Sequence, residues 1–299
     1  MKTLFLSLIA TLVTSITAYG QTEPGKYKVF TANGAPSSIE AILTAAGNVD
    51  VVFLGEQHDD AVAHSLQLEI FKGIIGKYTS TRRIALSYEM FERDVQLIVD
   101  EYLKGQISES QFLASSRPWN NYKTDYRPLL ELAKEKGLPV VAANAPRRYV
   151  NMVSRLGRSS LDGLSAEAKK WLPPLPYPQP SDAYAAKFRA LMGDGPEMKA
   201  GLINILDSQT LWDSGMAHAI TRRLEQTDRG LVVHLNGSFH SEGRMGTAEK
   251  LASYRKKTEF LVVTIRYEDD FQNFNQASHK GLGDFVILTD KKIPRSFTR

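Results

Sequence analysis

Two stretches of the chain carry residue types that do chemistry. Val51-Val52-Phe53-Leu54 runs into Gly55-Glu56-Gln57-His58, with His64 close behind, and Leu231-Val232-Val233-His234-Leu235 runs into Asn236-Gly237-Ser238-Phe239-His240. Each is a short apolar run that stops at glycine, with histidine three residues later, the pattern of a buried strand that empties into a polar loop. In α/β sheets ligands gather at the carboxyl ends of strands. Glu56, His58, His64 and His240 are therefore expected at one edge, joined by Glu89 at the end of a third apolar run, Arg83–Tyr88. Imidazole with carboxylate suits a divalent metal such as manganese or zinc, or general acid–base work. On the metal reading the ligands are His58, His240, Glu56 and Glu89, with Glu56 alternatively acting as catalytic base on a metal-bound water. This reading requires Gly55 and Gly237 to end adjacent or near-adjacent parallel strands. It also requires His58 and His240 to lie within roughly 12 Å, because metal–ligand bonds are only ~2 Å long. The competing reading for each histidine is a hydrogen-bonded cap, and His234, inside its strand, reads as a satisfied core residue.

A second group is Pro146-Arg147-Arg148-Tyr149, which follows the apolar run Leu138–Ala142. Proline there opens a helix in its first turn. Arg147 and Arg148 can hold carboxylates, haem propionates among them, by paired hydrogen bonds. Tyr149 can then serve as a phenolate ligand to ferric haem. Tyr177 is the alternative tyrosine, and His64 is a further haem-side candidate. The plainer reading of the arginines is a solvated helix start. Gln209, Trp212, Asp213 and Met216 fall at helical spacing on one face, either a cleft wall or ordinary packing.

The elements that must position these groups alternate between strand and helix. Helices are expected over Ser37–Ala46, Ala61–Tyr78 and Ile203–Leu224, and strands over Tyr27–Thr31, Val51–Leu54, Arg83–Tyr88, Leu138–Ala142, Leu231–Leu235, Phe260–Ile265 and Phe285–Leu288. This predicts an α/β fold, a mostly parallel sheet with helices on both faces plus a smaller helical lobe. The lobe is assigned to helical insertions at about 95–125 and 155–225 within one domain over 21–299. The proline-rich run Pro173–Pro180 can be neither helix nor central strand. Residues 1–20 read as a signal peptide: Lys2, an apolar core from Leu4 to Val13, then Ala18-Tyr19-Gly20. That implies a periplasmic or cell-envelope protein. Without cysteine there is no lipobox, disulfide or thiolate site. The formal charge of +4 is spread along the chain, so no nucleic-acid partner is expected. The absence of a Gly-x-Ser-x-Gly elbow and of phosphate-loop and dinucleotide fingerprints argues against the usual serine hydrolases and nucleotide enzymes.

Six motifs in order resemble the ChaN family of haem-binding uptake proteins, in the Tiki superfamily. They are Val51–Asp60, Glu89–Asp94, Asp125–Leu130, Ala142–Arg148, Leu211–Asp213 and His234–His240, and the resemblance runs from about residue 40 to 265. It implies an α/β core with a smaller lobe, export, haem as ligand with an axial tyrosine, and a homodimer formed around stacked haems. It further implies a role in iron uptake, with an outer-membrane haem receptor as a possible partner. The superfamily also contains metal-dependent Tiki proteases with two Gly-x-x-His motifs, matched here by Gly55 to His58 and Gly237 to His240. The more distant erythromycin esterases use a Gly-Glu-x-x-His pattern. This chain places the histidine one position earlier.

Overall fold

The computed structural model describes residues 24–193 and 199–297; the signal peptide read over 1–20 lies outside them. In chain order the strands are β1 (Tyr27–Thr31), β2 (Val51–Glu56), β3 (Arg83–Glu92), β4 (Val140–Asn144), β5 (Gly230–Gly237), β6 (Phe260–Glu268) and β7 (Phe285–Asp290). The helices are α1 (Ile39–Ala46), α2 (Ala61–Tyr78), α3 (Gln96–Leu103), α4 (Glu109–Ser116), α5 (Arg127–Glu135), α6 (Arg147–Leu156), α7 (Ala166–Lys169), α8 (Asp182–Met192), α9 (Lys199–Glu225), α10 (Thr247–Tyr254) and α11 (Gln276–His279). The sheet order is β1-β7-β6-β2-β5-β3-β4, and every pairing is parallel except β1 on β7. The fold is the α/β class expected.

The apolar runs are continuous because both faces of each central strand are covered. Along β2, Val52 and Leu54 face the main core with α1, α2 and α5, while Val51 and Phe53 face Ala217, Ile220 and Leu224 of α9 and Leu251 of α10. Alternate residues of a strand point to opposite faces, so one four-residue run feeds two cores. The first helical insertion joins the main core through Val99, Tyr102, Phe112 and Tyr122. The second builds a smaller cluster of its own from Val150, Val153, Leu161, Leu172, Tyr177 and Leu211.

At the amino-terminal edge, Arg82 fastens three segments together. Its guanidinium donates to the carbonyls of Gly47 (2.8 Å), Val49 (2.7 Å), Arg229 (3.0 Å) and Gly230 (2.6 Å). At the opposite edge β2 and β5 each run two residues past their expected ends, to Glu56 and Gly237. β2 and β5 are adjacent and parallel, with Gly55 opposite Asn236 and Glu56 opposite Gly237. β3 lies on the other side of β5 but runs past the expected end at Tyr88. Its pairing with β4 jumps from Tyr88–Ala142 to Glu92–Asn144, so β3 carries two extra residues there. Such a bulge re-aims side chains, and it turns Glu89, Met90 and Glu92 toward the carboxyl edge.

Candidate functional site

Six segments meet over that edge: the β2–α2 loop, the bulged end of β3, the loop after α4, the end of β4 with the start of α6, the turn after β5, and the middle of α9. They bound a cleft of about 720 Å³ lined by, among others, His58, Glu89, Trp119, Arg147, Trp212 and His240. The volume suits a small organic ligand or cofactor.

His58 and His240 are each held by a buried carboxylate. His58 Nδ1 lies 3.0 Å from Glu56 Oε1, and His240 Nδ1 lies 2.8 Å from Asp213 Oδ1. Glu56 is fixed in turn by Gln67 Nε2 (2.6 Å) and by the Tyr126 hydroxyl, and Asp213 by Thr247 Oγ1 (2.9 Å) and the Tyr184 hydroxyl. Each imidazole therefore has one nitrogen committed to its carboxylate, which sets the ring's orientation. Glu89 stands between the two rings. Its Oε2 accepts the Gly237 amide at 2.7 Å, and its Oε1 lies 3.6 Å from His240 Nε2. Gly237 fits this crowding, since a Cβ there would sit 2.8 Å from His58 Cε1 and the ring would have to move.

The electrostatics favour charged rings. Burial alone would lower the pKa of His240, but the Glu89 and Asp213 carboxylates outweigh it and raise the value to about 9. His58 moves upward for the same reason: burial opposes it, and Glu56 and Glu89 prevail. Burial pushes Glu56 up, yet His64 and His58 bring its pKa below the usual carboxylate value. A protonated imidazole offers hydrogen-bond donors and positive charge rather than a lone pair, so a metal here would have to displace protons. Among the described residues no three His, Asp or Glu side chains are grouped to hold a metal ion.

The other sequence-stated residues divide. His64 is buried beneath the cleft, not in its wall, with Nε2 3.1 Å from the His58 carbonyl oxygen and Nδ1 3.3 Å from Glu56 Oε2. Arg147 lines the cleft and donates to Glu92; Arg148 turns outward to Asp94. Tyr149 is half-buried against the second cluster, with the Arg148 guanidinium 4.4 Å from its ring centre. Tyr177 does not reach the cleft. Its hydroxyl donates to the Asp207 carbonyl at 3.0 Å, Arg158 covers its ring at 3.7 Å, and burial raises its pKa. His234 is a core residue as expected but only half satisfied: it is fully buried with Nδ1 2.8 Å from Ser87 Oγ, while Nε2 has no hydrogen-bond partner, and burial and His240 depress its pKa to about 3, so it is neutral.

Sequence reasoning missed three contributors. Asp213 was placed on the right helical face, and Gln209 and Trp212 of that face do line the cleft, but nothing in the spacing marked Asp213 as the partner of His240. Trp119 packs edge-on to His58 at 4.8 Å, and Asn121 Nδ2 donates to the His58 carbonyl at 3.0 Å. Both precede a π-helical turn, Tyr122–Tyr126, that carries Tyr126 to Glu56. Such turns recur at functional sites, but the sequence signal for one is weak. The buried amide oxygens of Asn144 and Gln209, two residues of the cleft wall, have no hydrogen-bond partner. Buried polar groups normally have one, and a ligand in the cleft can supply it.

Residues 42–251 match the family described as "Haem-binding uptake, Tiki superfamily, ChaN". Among solved structures, "Cofacial heme binding to ChaN of Campylobacter jejuni" superposes with a TM-score of 0.69 at 18% identity, covering 89% of this chain and 98% of that one. A succinoglycan biosynthesis protein superposes at 0.50 with 11% identity, covering 88% of this chain and 95% of that one. At such identities the likeness is one of fold. A curated relative, "Protein RETICULATA-RELATED 5, chloroplastic" of Arabidopsis thaliana, is 27% identical over 258 residues, 80% of this chain. Only 34% of that protein is covered, so this chain spans about a third of its length.

Proposed function

The chain belongs to the ChaN haem-binding uptake family of the Tiki superfamily, and from that premise we propose that it binds haem at the carboxyl edge of its sheet. The observation that carries this reading is the wall of the cleft. Trp119, Trp212 and Met90 offer apolar surface, while Arg147 and the two raised-pKa histidines offer donors for anionic groups. Haem is amphipathic in the same sense, with an apolar macrocycle and two carboxylates that arginine recognises by paired hydrogen bonds. When bound, haem supplies an iron centre whose properties follow from its axial ligand. Tyr149 is the ligand we assign, as the family's axial tyrosine; it packs on the second cluster outside the cleft wall, so haem binding would have to bring its ring to the cleft. Tyr177 is disfavoured because its hydroxyl is already committed to Asp207.

The test is a haemin titration of the purified protein. A Soret shift with a high-spin, tyrosinate-like spectrum at micromolar concentrations is expected, changed by Tyr149→Phe and not by Tyr177→Phe. No shift refutes haem binding; a shift unaltered in Tyr149→Phe refutes the ligand assignment alone. Export to the periplasm or cell envelope, a role in iron uptake, delivery from an outer-membrane receptor, and pairing of two copies around haem belong to the same proposal. Sedimentation with and without haemin tests the pairing.

A further inference from the structure

A second groove, of about 730 Å³, lies away from the cleft, between α3, the outer edge of β4 and the last turns of α9. Its wall holds five cations, Arg93, Lys104, Lys134, Arg222 and Arg223, against one carboxylate, Asp100. That carboxylate already accepts from Gln96 Nε2 at 2.9 Å. Among the described residues Arg93 and Arg223 take part in no ion pair, and Arg223 Nε is buried without a hydrogen-bond partner. Arg222 pairs only with exposed Glu225 at 3.3 Å. Arg93 and Arg222 are close enough to repel. Burial, then Arg222, lowers the pKa of Arg93 against the opposing Asp100 carboxylate, and burial lowers that of Arg223. Partly desolvated guanidiniums with so little counter-charge, Asp100 beside Arg93 and Glu225 beside Arg222, are costly unless something anionic joins them.

The groove is not a place for strand addition, although β4 is the sheet's edge. The Gln96 side-chain amide already donates to the Val140 carbonyl (2.9 Å) and accepts from the Ala142 amide (2.8 Å), and Arg93 Nη1 reaches the Ala142 carbonyl at 3.4 Å. The Val140 carbonyl and the Ala142 amide and carbonyl, in the middle of the edge, are thereby occupied, and the arginines remain.

We propose that this groove binds a diphosphate-bearing ligand. Five positive charges and one negative leave a net of four, and one phosphate group carries about −1.5 to −2, so two phosphates are needed to balance it. Guanidinium forks match phosphate oxygens in pairs. Leu103, Leu138, Pro139 and Val141 form an apolar strip beside the cations, with room for an organic body attached to the phosphates. A free diphosphate and a lipid diphosphate headgroup present this same chemistry.

Isothermal titration of the full chain with sodium pyrophosphate, and in a parallel arm sedimentation with phosphatidylcholine vesicles containing a polyprenyl diphosphate, tests the site and separates the two sources. Binding that weakens as salt rises, and that falls at least tenfold in Arg93→Gln and Arg223→Gln, is expected. Exposed Arg222→Gln, which disturbs no packing, should fall several-fold. The variants' circular dichroism and haemin titrations should match wild type, which shows that they fold. Binding to vesicles alone assigns the headgroup source, and binding to pyrophosphate assigns the free one. The proposal is overturned if neither probe binds, or if the folded variants bind as wild type does.

Discussion

Asp213→Asn is the most informative single change at the carboxyl edge. Asp213 is fully buried and accepts hydrogen bonds from His240 Nδ1, Thr247 Oγ1 and the Tyr184 hydroxyl. The amide keeps the shape and loses the charge. His240 rises from 6.5 to about 9 in the folded protein, a difference of 2.5 units. At 1.36 kcal/mol per unit this is roughly 3 kcal/mol of stabilisation. Because the folded value lies above the unfolded one, that contribution is complete below pH 6.5 and is lost as pH rises to about 9. Glu89 is the largest single source of the attraction, and Asp213 acts through both its charge and its hydrogen bond, so asparagine should remove a substantial part of it, on the order of 1–2 kcal/mol. One reoriented buried hydrogen bond adds about 1 kcal/mol. Urea unfolding of both proteins from pH 6 to 10 should show the variant less stable by roughly 2–3 kcal/mol at pH 6.5. The gap should narrow as the wild type loses its imidazolium. The His240 ring signals should titrate at lower pH in the variant. Parallel stability curves across that range, with an unmoved His240 titration, would refute the claim that the Asp213–His240 pair is charged.

Three further outcomes follow from the geometry. Gly237→Ala places a methyl 2.8 Å from His58 Cε1 and 3.0 Å from its Nε2. It should displace the ring, shift its NMR titration and cost roughly 1–3 kcal/mol; an unchanged His58 signal would show the loop to be looser than its contacts. Arg82→Met removes four donors to carbonyls at the amino-terminal edge and should cost about 2–4 kcal/mol in urea melts, with the haemin spectrum intact. Tyr177→Phe loses one hydrogen bond, to Asp207, and should cost about 1 kcal/mol; a loss below a few tenths would mean that this bond contributes nothing net.

The amino-acid sequence by itself determined where the sheet's chemistry would lie. Val51–Leu54 and Leu231–Leu235 are apolar on both faces, so they had to be covered on both sides, and their polar continuations had to leave the sheet at an edge. Parallel pairing then puts Glu56 and Gly237 side by side. Local chemistry was also readable: Ser38 is placed to cap α1 and does, and Ala61–Tyr78 is helical over the span its periodicity implies. What only the tertiary structure decided is which buried groups face one another. Asp213 reaches His240 from a helix 27 residues upstream, and Tyr126 reaches Glu56 across 70 residues. Arg93 meets Arg222 and Arg223 only because α9 returns beside β4. Periodicity records whether a residue must be buried or exposed. It does not record the partner, because a long-range hydrogen bond or charge pair leaves no regular spacing in the chain. Likewise, the separation of His64 and Tyr177 from the cleft wall depends on packing depth, and a histidine under a loop has the same sequence signature as one lining it.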